Sequence, residues 1–123
     1  YPAKAARPYV VAANEELVNR IAGDDMMRGC TIAANGFYGP QGRVLRCDLA
    51  VKEINDLITD FRYEGQRITN YEMEGSAIAG LSLLMGHKAM TVCCVIAQRK
   101  VEAANTDYKP RIKQLIQEVL ERI

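Results

Sequence analysis

No apolar run in this 123-residue chain is longer than six residues, Val92 to Ala97. A membrane-spanning helix needs roughly 20, so no membrane partner is expected. An excess of one charge is equally absent: 16 Lys+Arg face 15 Asp+Glu, a net +1 at pH 7. A chain so nearly neutral carries no electrostatic footprint for nucleic acid. Histidine is reduced to His87, and the four cysteines, Cys30, Cys47, Cys93 and Cys94, form no C-x-x-C pair. A zinc site needs paired ligands at short spacing, so no metal is expected. The cysteines read as small buried hydrophobes in a reducing compartment, with a vicinal disulfide at Cys93-Cys94 as the alternative. The phosphate-loop pattern G-x-x-x-x-G-K-[ST] is missing, as are internal repeats and any signal-peptide pattern. The expected location is cytoplasmic. The chain opens on Tyr1, which suggests processing or a longer parent.

What is present is the composition of one soluble domain or a piece of one: 49% apolar and 25% charged residues. Asn14 can cap a helix with Glu15 and Glu16 in its first turn and Leu17, Val18 and Ile21 on one face. Met27 to Ala34 is a strand candidate, followed by a glycine-rich loop, Asn35 to Arg43. Helical spacing resumes from about Asp48, through Val51, Ile54, Leu57, Ile58 and Phe61. A brief strand, Arg67 to Tyr71, leads into Glu72-Met73-Glu74. A helix follows over Gly75 to Met85, with Gly86 beyond its end. Lys88 to Ala97 reads as a strand buried on both faces. A last helix, Asp107 to Ile123, carries Ile112, Leu115, Ile116, Val119 and Leu120 as its apolar stripe.

Strands alternating with helices imply an α/β layered domain with a mixed or parallel sheet. Such sheets place ligands at the carboxyl ends of their strands. The glycine-rich loop, Glu72-Met73-Glu74 and Gln98-Arg99 each follow a strand, so three polar clusters are expected at one edge. In the loop, Gln41 offers a donor beside an acceptor, which matches the imide-like edge of a pyrimidine. Arg43 adds fixed donors for a carbonyl oxygen on which charge develops, and Phe37 can stack on a base. A surface turn with ordinary polar residues would look the same. Glu72 and Glu74 could bind sugar hydroxyls, flank a glycosidic bond, or simply pair with a helix N-terminus. His87 reads as a helix-end histidine.

The run Thr31-Ile32-Ala33-Ala34-Asn35-Gly36-Phe37-Tyr38-Gly39-Pro40-Gln41-Gly42-Arg43 resembles the base-binding loop of uridine phosphorylases. Asn70-Tyr71-Glu72-Met73-Glu74 resembles the Asn-x-Glu-Met-Glu motif of the wider nucleoside phosphorylase family. The apolar run ending Val95-Ile96-Ala97-Gln98-Arg99 follows in the family's order. The resemblance implies a fold: the C-terminal half of a three-layer α/β/α domain with a mixed central sheet, residues 1–123 forming one portion of it. It also implies roles. Gln41 and Arg43 would hydrogen-bond the uracil edge, with Phe37 stacking near the base. Met73 would pack on the sugar, Glu74 would hold ribose hydroxyls and Glu72 would shape the pocket wall. Ile96 and Ala97 would line the base pocket, with Arg99 near the uracil carbonyl. Gln41, Arg43 and Glu74 would be the catalytic set.

The reaction implied is phosphorolysis of uridine to uracil and ribose 1-phosphate, with inorganic phosphate as co-substrate and no cofactor or metal. Purine-specific members carry an aspartate just beyond the strand ending at Ala97, and Gln98-Arg99 holds no acid there. A homo-oligomer, a dimer or a trimer of dimers, is implied as well. The family's phosphate loop belongs to an N-terminal half for which this chain shows no counterpart, so the isolated chain is expected to be inactive. Gly39-Pro40 inverts the order common in this loop, and Gly75 stands where serine is often found. The alternatives are a nucleosidase of the same family, with water as nucleophile, and a non-catalytic α/β module for assembly or ligand sensing.

Overall fold

A computed structural model describes residues 3, 7–98 and 103–123. Asn14 opens α1 (Glu15–Ile21): its Oδ1 accepts the Leu17 N–H at 3.1 Å, with Glu15 and Glu16 in the first turn. Strand β1 (Cys30–Ala33) is the centre of the longer segment expected from the sequence. It runs into the glycine-rich loop, where Gly39–Gln41 close a 3-10 turn. Helix α2 (Ile54–Asp60) starts well after Asp48, with Glu53 at its N-cap making no side-chain bond.

Two short elements then form a hairpin, β2 (Arg62–Tyr63) and β3 (Gln66–Glu72). The turn between them has Glu64 at φ 49° and Gly65 at φ 79°. Two successive left-handed residues are what a tight hairpin with the right strand twist requires. Helix α3 (Gly75–Leu84) follows at once, and Gly86 at φ 74° turns the chain beyond its end. Strands β4 (Ala97–Gln98) and β5 (Ala103–Ala104) precede α4 (Lys109–Arg122).

The order β1-β3-β2 makes a three-stranded sheet, parallel between β1 and β3 and antiparallel between β3 and β2. This is a mixed α/β fold with a small mixed sheet. Pairing of β1 with β3 slips by one residue between Cys30 and Thr31, leaving Thr69 opposite no partner. Thr69 stabilises the bulge by donating its hydroxyl to the Cys30 carbonyl at 3.1 Å. Its methyl would lie 2.4 Å from any Cβ on Gly29, so that glycine is a steric requirement. Helix α2 packs against β3, and α3 against β1.

One sequence expectation fails clearly. Residues 88–96 form no ladder, and only Ala97–Gln98 pairs, with Ala103–Ala104. The segment is extended and alternates half-buried Val92 and Cys94 with exposed Thr91, Cys93 and Val95. Its backbone is held instead by single bonds, Asn14 N–H to the Ala89 carbonyl and Asn105 N–H to the Ile96 carbonyl, both at 2.8 Å. Apolar composition favours a strand, but a strand needs a neighbour to take up its ladder, and among the described residues none lies alongside. The cysteines correct the same expectation. All four are free thiols, Cys47 and Cys93 are exposed, and Cys30 and Cys94 are half-buried.

Among the described residues the apolar side chains that leave water almost completely are Ile21, Ala34 and Ile58. Helix α4 turns Ile112, Leu115 and Val119 inward to half-burial while Ile116 and Leu120 stay exposed. It docks on α1 through Arg122, whose Nη1 donates to the Ile21 carbonyl at 2.9 Å and whose Nη2 pairs with Asp25 at 3.1 Å. Lys88 pairs with Glu16 on α1. No helix among the described residues is long and apolar enough to cross a membrane.

Candidate functional site

Because β1 and β3 are parallel, their carboxyl ends share one edge of the sheet. From that edge the glycine-rich loop leaves β1 and the Glu72-Met73-Glu74 turn leaves β3. The two exits are joined directly: Ala34 N–H donates to the Glu72 carbonyl at 2.8 Å, continuing the ladder one residue past β1. Two of the three polar clusters expected at one edge are therefore brought together. The third ends in Arg99, which lies outside the described residues.

The loop is organised from within. The Tyr38 carbonyl accepts the N–H groups of Gln41 and Arg43, both at 3.0 Å, and Gly42 N–H reaches the Gly39 carbonyl at 2.9 Å. Gly42 adopts φ 71°, a left-handed conformation that costs a residue with Cβ about 1–2 kcal/mol. This curl tucks Gln41 inward to 3% exposure, the buried polar side chain among the described residues. Its Oε1 accepts Arg43 Nη1 at 3.0 Å, and the same guanidinium nitrogen donates to the Phe37 carbonyl. Arg43 Cζ lies 3.7 Å from the centre of the Phe37 ring, within cation–π range. Tyr38 meets Phe37 edge to face at 5.2 Å. Phe37, Gln41 and Arg43 thus form one contiguous unit, in which Phe37 stays half exposed at 50%.

On the neighbouring strand, Glu72 does what the helix-terminus alternative anticipated. Its Oε2 accepts the N–H of Glu74 at 2.8 Å and that of Gly75, capping α3. The cap needs a glycine at position 75, where a Cβ would fall 3.0 Å from the Glu72 carboxylate and 2.8 Å from Thr91 Oγ1. Glu72 Oε1 is buried without a hydrogen-bond partner, and so is Asn70 Nδ2 two residues back on the same strand. Met73 at 42% and Glu74 project into solvent beyond the cap.

Cys93 faces these groups. Partial burial of its thiol pushes the pKa up, and the Glu72 and Cys94 charges act in the same direction against the pull of the Asn70 amide. That amide approaches the sulfur without reaching hydrogen-bond geometry. Ile96 is 40% exposed, and Ala97, half-buried, begins β4. The described candidates border a broad open concavity of about 3530 Å³ that most of the described chain also lines. That volume exceeds the roughly 300–1,000 Å³ of a small-molecule pocket, so the site is defined by its hydrogen bonds rather than by the concavity. Among the described residues no three His, Cys, Asp or Glu converge as metal ligands would.

The sequence does not single out Asn55, and it marks Tyr71 only as a strand residue within the Asn70-to-Glu74 run. Asn55 Nδ2 donates to the Gly42 carbonyl at 3.3 Å, and Tyr71 Oη donates to Asn55 Oδ1 at 3.3 Å. A polar residue in the first turn of a helix gives no sequence signal that distinguishes it from a solvated one.

The family described as the phosphorylase superfamily matches residues 2–123. The chain belongs to the phosphorylase superfamily. This phosphorylase-superfamily chain is 38% identical over 104 residues to uridine phosphorylase A of Schistosoma mansoni, across 76% of this chain and 34% of that protein. It therefore spans about a third of the length of that relative. No solved structure matches it significantly.

Proposed function

We propose that this chain carries the base- and ribose-binding portion of a uridine-type nucleoside phosphorylase, residues 1–123 contributing one part of a single three-layer α/β/α domain. The observation that supports it most is the junction at the sheet edge, where the loop bearing Phe37, Gln41 and Arg43 is hydrogen-bonded to the strand end bearing Glu72. Base readers and sugar readers must sit side by side to hold one nucleoside, and the Ala34 N–H to Glu72 carbonyl bond supports assigning those roles to the two segments it joins. Likeness to a protein named uridine phosphorylase supports the pyrimidine. So does Gln98, which offers no acid to protonate a purine.

In this reading phosphate attacks the anomeric carbon as the bond to the base breaks, and the bonding pair leaves on the base. Arg43 and Gln41 stabilise the negative charge that develops on the uracil carbonyl, the kind of fixed-donor stabilisation that dominates many enzymatic rates. Glu74 holds ribose hydroxyls and Met73 packs on the sugar. In this reading the phosphate-binding part lies outside these 123 residues, and the working enzyme is a homo-oligomer. The apolar side chains that α3 leaves in water, Leu81, Leu83 and Leu84 among them, favour such an assembly.

Amide NMR of the 123-residue chain with uracil, and hypoxanthine as control, tests the reading. Uracil alone should shift Gln41, Gly42 and Arg43. Indifference to both bases overturns the site and leaves a non-catalytic module. In the assembled enzyme, release of uracil from uridine without phosphate would convert the reading to a nucleosidase.

A further inference from the structure

Gly42 separates the two side chains assigned to the base, so whatever fixes its peptide fixes the angle between Gln41 and Arg43. Backbone bonds from Tyr38 and Gly39 close the turn on itself but do not tie it to the sheet. Asn55 adds a side-chain tie at this turn. From the first turn of α2 its Nδ2 donates to the Gly42 carbonyl, and its Oδ1 accepts the Tyr71 hydroxyl. A carbonyl can only accept, so the orientation of the Asn55 amide is set by chemistry. The fit is close: a Cβ on Gly42 would lie 2.4, 2.6 and 2.7 Å from Asn55 Nδ2, Oδ1 and Cγ. Tyr71 directly precedes Glu72 on β3, so the bridge runs from the loop that carries the base readers to the strand that carries the sugar readers.

We propose that Asn55, held by Tyr71, is a positioning residue that sets the base-reading loop relative to the ribose-binding strand and so determines base selectivity. The inference rests on the function proposed above. Two properties separate Asn55 from a merely structural helix residue. Both of its side-chain bonds leave its own helix, and one ends on the peptide between the two base readers. Thr59 Oγ1, by contrast, bonds the Asn55 backbone carbonyl at 2.7 Å and would survive any change of the side chain.

The test is uracil and hypoxanthine binding by the full chain, in parallel with thermal melting, for Asn55→Ala, Asn55→Asp and Tyr71→Phe. Asn55→Asp keeps the acceptor for Tyr71 and loses the donor to Gly42. It should weaken uracil about tenfold, as should Asn55→Ala, on the loss of roughly one hydrogen bond's net contribution with the turn left free. Tyr71→Phe, which leaves Asn55 in place, should weaken uracil about threefold and keeps the test open if the Asn55 variants do not fold. In each variant the preference for uracil over hypoxanthine should narrow. Unchanged preference with a lowered melting point overturns the positioning role and leaves Asn55 structural. Failure of the unsubstituted chain to bind uracil would overturn the functional reading, and this inference with it. Uracil binding by the unsubstituted chain together with unaffected variants would overturn the inference alone.

Discussion

Gly42→Ala separates backbone conformation from side-chain contact within one turn. At φ 71° the alanine pays the left-handed penalty, about 1–2 kcal/mol. Its Cβ would also stand 2.4–2.7 Å from three atoms of Asn55, so the amide must swing away. That sacrifices the bonds to Gly42 and Tyr71, roughly 0.5–1.5 kcal/mol each. The two contributions together come to about 3 kcal/mol. At roughly 3–5 °C per kcal/mol for a chain of this size, the melting temperature should fall by about 10 °C. Two other glycines act as internal references. Gly65 has φ 79° but open space around it, so Gly65→Ala should cost only the backbone share. Gly39 has neither a positive φ nor a neighbour within 4 Å, so Gly39→Ala should be close to neutral. Circular-dichroism melts and urea midpoints of the three variants give the order directly. Gly42→Ala melting with Gly65→Ala would show that the Asn55 contact contributes nothing. Gly42→Ala melting with Gly39→Ala would refute the left-handed turn itself.

Two pH dependences follow from charged and ionisable groups. Asp25 is held below its ordinary pKa of 3.8, chiefly by its hydrogen bond from Arg122. The stabilisation is therefore complete above that value and is lost as pH falls through the lower folded value. Asp25→Asn should lower stability by the same amount at every pH above neutrality and flatten the acid limb of an unfolding-versus-pH curve, and an unchanged acid limb would refute the Arg122–Asp25 tie. Cys93 moves the other way, its pKa raised above the ordinary 9.0 by burial. Its contribution is whole below that value and fades as pH rises toward the folded one. Cys93→Ala should reduce the loss of stability above pH 9 in urea titrations, and identical alkaline limbs would show that the thiol is solvated.

Legibility in the sequence followed how local the determining interaction was. Asn14 and the two glutamates after it announce α1 because a cap and a dipole act within one turn. The stripe of α4 was equally readable, since amphipathic spacing needs only that one side be covered. The extended run 88–96 was misjudged because its composition is local while a strand's hydrogen bonds are not. Strand β2, two residues long, offers no periodicity at all. At the site, Gln41 and Arg43 were found by residue type, yet nothing in their spacing shows that Arg43 binds Gln41 and covers Phe37. Glu72 has a helix-terminus reading in the sequence and, against it, a ligand-facing one. The N–H groups of Glu74 and Gly75 support the capping one, and the unpartnered Oε1 leaves the other standing.

Under the proposed function, that unpartnered oxygen sets an asymmetry between the two ends of the nucleoside. At the base end, Arg43 already bonds Gln41 and the Phe37 carbonyl, so an incoming uracil exchanges one hydrogen bond for another with little net gain. At the strand end, Glu72 Oε1 and Asn70 Nδ2 are buried and unmet, and each such atom costs about 1–3 kcal/mol until something pairs with it. A hydroxyl can donate to the first and accept from the second. Under the proposed function the ribose should therefore add more affinity than the base, with uridine binding at least tenfold more tightly than uracil in isothermal titration. Glu72→Gln isolates the cause: its oxygen can still cap α3, while the amide nitrogen turns the orphan acceptor into a donor. Uridine should then lose about tenfold and uracil almost nothing. Unchanged affinity for both ligands would mean that Glu72 acts only through the helix it caps.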